Sequence, residues 1–179
     1  MNEAGSGPGF RPATAADVPA LRRLIESAYR GDSAKAGWTH EADLLGGART
    51  SETELSDIIA DPDQLMLLAE DADQTIACVR LMKQADGATY LGMLTVSPSR
   101  QAGGLGRALL AAAEAEAVAR FQAPRMEMTV ISTRAELIAW YERRGYALTG
   151  ERRPFPAEAQ DFGDLTPQAL EFVVMAKSL

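Results

Sequence analysis

The chain is poor in the residues from which metal and redox sites are built. Its 179 residues contain one cysteine, Cys78, and one histidine, His40. A lone cysteine excludes an internal disulfide framework and a Cys-rich metal site. A lone histidine without His or Cys companions leaves zinc without a ligand set, so no metal is expected. Cys78 stands inside the apolar run Thr75 to Met82 and reads as a small buried strand residue rather than a nucleophile. So few cysteines suit a reducing, cytoplasmic setting. Long apolar runs are also missing: Glu114 and Glu116 break the longest alanine stretch, and no segment approaches membrane-spanning length. Positive charge is scarce. The net charge of −7 is the opposite of what a nucleic-acid binder carries on its binding face. The expected partners therefore include neither membrane nor nucleic acid. An acidic surface is compatible with drawing in a cationic amine, and equally with ordinary solvation. Residues Met1 to Gly9 are Gly-rich and polar, lack the apolar core of a signal peptide, and read as a disordered leader.

What is present is a globular composition, with 46% hydrophobic and 24% charged residues, long enough for one sizeable core over residues 10–179. Phe10 to Ala13 reads as a first strand, and a helix opening at Thr14 or Ala15 runs through Tyr29, with Leu21, Leu24, Ile25 and Ala28 on one face. Gly31 to Gly47 is irregular, with a short helix possible at Thr39 to Leu45. A further helix is expected from Ser51 or Glu52 to Ala60, ended by Asp61-Pro62. Gln64 to Glu70, Thr75 to Lys83 and Thr89 to Val96 read as three strands joined by short turns. From Leu105 to Phe121 a helix stacks Leu105, Leu109, Ala113, Ala117 and Phe121 at fourfold spacing, and its small side chains let it lie close on a sheet. Arg125 to Ile131 alternates apolar Met126, Met128 and Val130 with Glu127 and Thr129, a half-buried strand. Thr133 and Glu136 have the spacing of a capping box for a helix to Arg144, closed by Gly145. Strands from Tyr146 and from Leu170 to Ala176 complete a mixed α/β sheet with helices packed on it.

The chemistry-bearing stretch is Val96 to Leu110. An apolar strand enters it, a helix leaves it, and Gly103, Gly104 and Gly106 lie between. Bare amides at a helix start, reinforced by the helix dipole, form an anion cradle, and glycine lets the backbone approach a ligand closely. Spacing narrows the anion. Arg107-Ala108 stands where a P-loop needs Lys followed by Ser or Thr. Leu109 stands where a Rossmann fingerprint needs a third Gly or Ala, which counts against a dinucleotide-dependent oxidoreductase.

The residues do resemble the GCN5-related N-acetyltransferase (GNAT) family. Its cofactor loop reads Gln/Arg-x-x-Gly-x-Gly/Ala, commonly after Val-x-Pro; here Val96-Ser97-Pro98 precedes Gln101-Ala102-Gly103-Gly104-Leu105-Gly106. A second family signature, Tyr-Glu-x-x-Gly-Phe/Tyr, is matched by Tyr141-Glu142-Arg143-Arg144-Gly145-Tyr146. The resemblance spans about Phe10 to Leu179. It implies a mostly antiparallel central sheet splayed between its fourth and fifth strands, flanked by helices, in a monomer or homodimer. It implies acetyl-CoA as co-substrate and an acetyltransferase acting on a primary amine of a small molecule or peptide. The alternative is a non-catalytic acyl-CoA-binding sensor or regulatory module.

By this resemblance the strand before the loop carries a bulge near Leu94, whose amide faces the thioester. Thr95 and Val96 then hold the pantetheine arm like an added strand, and the amides of Gln101, Ala102, Gly103, Gly104, Leu105, Gly106 and Arg107 hold the pyrophosphate. Tyr141 is implied as the general acid. A phenol of ordinary pKa ~10 can donate a hydrogen bond or proton to a departing thiolate whose acid has pKa about 8.5. Where the family usually carries Asn, seven residues before this tyrosine, Arg134 stands, so a side-chain amide grip on pantetheine is missing. No glutamate lies on Tyr90 to Val96 to serve as general base; Glu41, His40 and Glu127 are the candidates. Trp38, with Glu41 and Asp43, offers an aromatic face and carboxylates for a cationic acceptor, and Phe155 and Phe162 an opposite wall.

Overall fold

The structure, a computed structural model, describes residues 9–29, 50–154 and 171–179, and for Tyr29, Gln101 and Ala102 the backbone alone. Residues 1–8 of the proposed leader, Trp38, His40, Glu41, Asp43, Phe155 and Phe162 lie outside the described residues.

Seven strands form one sheet: β1 (Phe10–Pro12), β2 (Gln64–Asp71), β3 (Gln74–Lys83), β4 (Thr89–Val96), β5 (Arg125–Ile131), β6 (Ala147–Pro154) and β7 (Glu171–Ser178), in the order β1-β2-β3-β4-β5-β7-β6. Every neighbouring pair is antiparallel except β4 and β5. The described helices are α1 (Val18–Tyr29), α2 (Glu52–Ala60), α3 (Leu105–Phe121) and α4 (Ala135–Glu142). A parallel pair needs a crossover, and α3 supplies it between β4 and β5.

The sheet carries a core on each face. Alternation along β2 sends Leu65, Leu67 and Ala69 into the core that α3 and Tyr141 share, and Met66 and Leu68 into the core beneath α1 and α2. On α3 the buried stripe is Leu105, Leu109, Leu110, Ala113 and Ala117, and the two alanines, wholly buried, bring the helix backbone close to the sheet. Truncating a wholly buried leucine such as Leu109 costs about 2–5 kcal/mol, so this stripe fixes the helix against β3 and β4.

The spacing Thr133–Glu136 does not cap α4. The residue before that helix is Arg134, with φ −88° and ψ 61° and no side-chain cap. Its amide is spent on Ile131 O at 2.9 Å in a turn at the end of β5, so Thr133 falls one residue too early to serve. A capping box instead opens the turn before α1, where the Asp17 carboxylate accepts from the Thr14 amide at 2.7 Å.

Cys78 is wholly buried on β3, and burial pushes its thiol up to about 12. At pH 8 the thiol stays protonated and shielded. The folded protein should therefore resist a disulfide-exchange reagent at pH 8 and react with one equivalent only in denaturant; rapid labelling of the native protein would contradict this burial.

Candidate active site

The site grows from a fault in β4. In an unbroken strand Leu91 and Met93 would share a face. Here Leu91 enters the α3 core, Met93 the opposite core under α1, and Leu94 and Val96 the α3 core again. One extra residue resets the alternation. The ladder to β3 shows it: Thr95 pairs with Cys78 and Gly92 with Arg80, so three steps on β4 face two on β3. This is a β-bulge, with Met93 at φ 52°, in the left-handed region that L-residues avoid at a cost of roughly 1–2 kcal/mol. The displaced Met93 carbonyl accepts from the Thr95 hydroxyl at 2.9 Å.

Beyond the bulge, β4 leaves β5. Their parallel pairing consists of Thr89 with Met126 and Tyr90 with Glu127, whereas β5 stays paired with β7 as far as Ile131 and Phe172. At the parting point the Tyr90 and Thr129 hydroxyls meet at 2.6 Å, bridging the two strands. Gly92 makes room for this bridge: a Cβ there would sit 3.3 Å from the Tyr90 ring.

The end of β4 runs into a 3-10 turn, Pro98–Gly103, and then Gly104, at φ 75°, where α3 starts without a side-chain cap. The first helical bond is Ala108 N to Gly104 O at 3.1 Å, so the amides of Leu105, Gly106 and Arg107 precede any intrahelical acceptor. No heavy atom lies within 4 Å of the places where Cβ atoms on Gly103 or Gly104 would stand. A Cβ on Gly106 would lie 3.5 Å from Val96 and 3.7 Å from Trp140, so strand end, helix start and α4 meet at this point. The arrangement fits an anionic ligand whose charged part sits on the α3 amides and whose tail enters the gap beside β4.

The expected residues are thus gathered. Leu94, Thr95 and Val96 lie on β4 beyond the point where it parts from β5, with Thr95 and Val96 buried. Gln101, Ala102 and Gly103 form the 3-10 turn, and Gly104, Leu105, Gly106 and Arg107 the helix start. Tyr141, 6% exposed, shares a core with Val96 and Leu105. Its ring meets Trp140 edge-on at 4.9 Å and Tyr146 at 5.7 Å between centroids, which fixes its position.

Glu127 is a different matter. It is buried, accepts from Arg153 at 2.9 Å and lies 3.8 Å from Arg125. A carboxylate so engaged ties β5 to β6. Sequence reasoning missed the Tyr90–Thr129 bridge, whose partners stand 39 residues apart. The one available signal was a tyrosine two residues before a strand glycine.

The sequence matches the acetyltransferase (GNAT) family model over residues 20–146. No curated protein matches the chain in sequence. Among solved structures, the ribosomal-protein-alanine N-acetyltransferase of Brucella melitensis superposes with a TM-score of 0.70 at 21% identity, covering 96% of this chain and 99% of that one. The ribosomal-protein-S18-alanine N-acetyltransferase of Escherichia coli gives 0.69 at 19%, covering 95% and 92%. A Bacillus anthracis acetyltransferase structure in complex with acetyl coenzyme A gives 0.56 at 18%, covering 69% and 66%. At these identities the likeness is one of fold.

Gly104→Ala should cost about 1 kcal/mol of stability, because the strain lies in the backbone and not in a clash. Gly103→Ala, with ordinary φ and open space, should stay within about 0.5 kcal/mol of wild type. Equal losses in urea unfolding would contradict this account of the helix start. The family match over more than half the chain and the splayed sheet agree, and the chain belongs to the GNAT acetyltransferase family, enzymes that draw their acyl group from acetyl-CoA.

Proposed function

We propose that the protein moves an acetyl group from acetyl-CoA to a primary amine of a small molecule or peptide, by direct attack of the amine on the thioester. The observation that carries the reading is the coincidence of the bulged, parted end of β4 with the glycine-opened start of α3. The amides of Gly104 to Arg107 bind the diphosphate; the backbone of Leu94 to Val96 lines the pantetheine arm and places an amide at the thioester carbonyl. Donors held rigidly at a developing oxyanion lower the barrier because they need no reorganisation. The amine nitrogen bonds to the carbonyl carbon, the C–S bond breaks, and the sulfur takes its proton from Tyr141. The nitrogen gives up a proton to solvent.

An α-amino acceptor suits this site best. The two ribosomal-protein-alanine N-acetyltransferases among the fold neighbours have such an acceptor in their names. Among the described residues, the buried Glu127 is held by Arg153 and Arg125, and β4 and β5 carry no other acid. Neutralising an alkyl amine of pKa ~10.4 at pH 7 costs roughly 4.6 kcal/mol, whereas an α-amino group near ~7.8 costs only about 1 kcal/mol. The second needs less help from a base, and that favours it.

Acetyl-CoA turnover against an amine panel, read by thiol release, tests the reading. With a peptide α-amine, kcat/KM should rise with pH through a midpoint of ~7.8 and level off about one unit higher, as the amine loses its proton. Tyr141→Phe should lower kcat by about 10²-fold or more with the fold intact. Tight acetyl-CoA binding without turnover of any amine would favour a binding module, and a rise whose midpoint lies at the ~10.4 of an alkyl amine would contradict the α-amino acceptor.

A further inference from the structure

Beside the helix start, a groove of about 530 Å³ runs between α3 and the end of α4, lined by Arg107, Leu110, Ala111, Glu114, Arg143, Arg144 and Lys177. Four cations thus surround one carboxylate in a chain whose net charge is −7. Glu114 is already committed: it accepts from Lys177 at 2.8 and 2.9 Å and from the Tyr146 hydroxyl at 2.9 Å. That leaves three guanidiniums around the groove. Elsewhere Arg11, Arg100, Arg125 and Arg153 are paired with carboxylates, whereas among the described residues Arg107 and Arg143 have no ion-pair partner.

Arg144 is positioned for a ligand. Its guanidinium stacks on Trp140 at 3.6 Å and donates from one Nη to the Trp140 carbonyl at 2.6 Å. Its Nε is buried and has no hydrogen-bond partner. Desolvation, and after it the charges of Arg143 and Arg107, push its pKa below the ordinary arginine value. Planar guanidinium forks match phosphate oxygens, and several together match a dianion. The groove has the size of a small-molecule site, and a bare phosphate would leave most of it empty. It also starts at Arg107, whose amide is among the first of α3, and reaches Glu114 roughly 10 Å further along the helix.

We propose that this groove binds a phosphomonoester dianion, the 3′-phosphate at the nucleotide end of CoA, through Arg107, Arg143 and Arg144, and so distinguishes CoA from its 3′-dephospho form. The proposal rests on the α3 start being the diphosphate grip, from which the groove continues along the same helix.

Calorimetric titration of the full chain with CoA, 3′-dephospho-CoA and inorganic phosphate tests it. Wild type should bind CoA at least about tenfold more tightly than the dephospho form, the worth of one charge-assisted contact. Arg143→Ala, at an exposed helix end, should weaken CoA by about tenfold and leave dephospho-CoA unchanged. The unchanged ligand reports that the variant is folded. Inorganic phosphate should compete with CoA and not with dephospho-CoA. Equal wild-type affinities, or equal weakening of both ligands by Arg143→Ala, would overturn the groove assignment while leaving the diphosphate grip standing. Phosphate binding to the CoA-saturated protein would overturn it in favour of a separate anion site. Failure of both CoA forms to bind wild type would remove the grip and the groove together.

Discussion

The molecule turns on the parting of β4 from β5. Two parallel strands lying side by side normally continue their ladder, because each unpaired amide and carbonyl costs free energy when buried. Here the ladder stops after Tyr90 and Glu127. The bulge at Met93 redirects β4, and the alternation reset by that one residue keeps Leu94 and Val96 on the α3 core although the strand has turned away. On the proposed reading, an extended ligand arm lies along the parted β4 in the manner of an added strand. The gap is held open by well-packed elements on both sides: α3 over β3 and β4, and β5 paired through its whole length with β7.

Charge follows the same geometry. The chain is acidic, and among the described residues many arginines are tied to carboxylates, as Arg11 is to Asp17 and Glu70. Uncompensated positive charge gathers instead around the start of α3 and along the α3–α4 groove. The helix dipole adds to it at the bare amides of Leu105 to Arg107. On the proposed reading, the thioester end of the cofactor faces the parted strands and the phosphate-bearing end faces arginines.

Much of this was legible in the residues. The strand from Thr89 to Val96, the helix from Leu105 to Phe121 and its Leu–Ala stripe follow from local periodicity, and the structure has the same bounds. The Gly-rich start of α3 and Tyr141 were readable because each sits in a short local signature. The bulge was expected near Leu94 only through the family resemblance; adjacent apolar residues such as Met93 and Leu94 say nothing of which face each takes. Thr133 had the spacing of a cap, but the turn at the end of β5 took the neighbouring amide first. The convergence of Arg143 and Arg144 with Arg107 and Lys177 depends on packing between segments far apart in the chain. Trp38 and Glu41, the candidate acceptor residues, lie outside the described residues.

The central claim is that a ligand bridges the parted end of β4 and the start of α3. Backbone amide resonances followed while acetyl-CoA is added to isotopically labelled protein test it directly. The account predicts the largest, saturable shifts at Leu94 to Val96 and at Gly104 to Arg107, with those of β1 and β2 little changed. Saturable shifts confined to another part of the sheet, or none at concentrations that support binding, would contradict it.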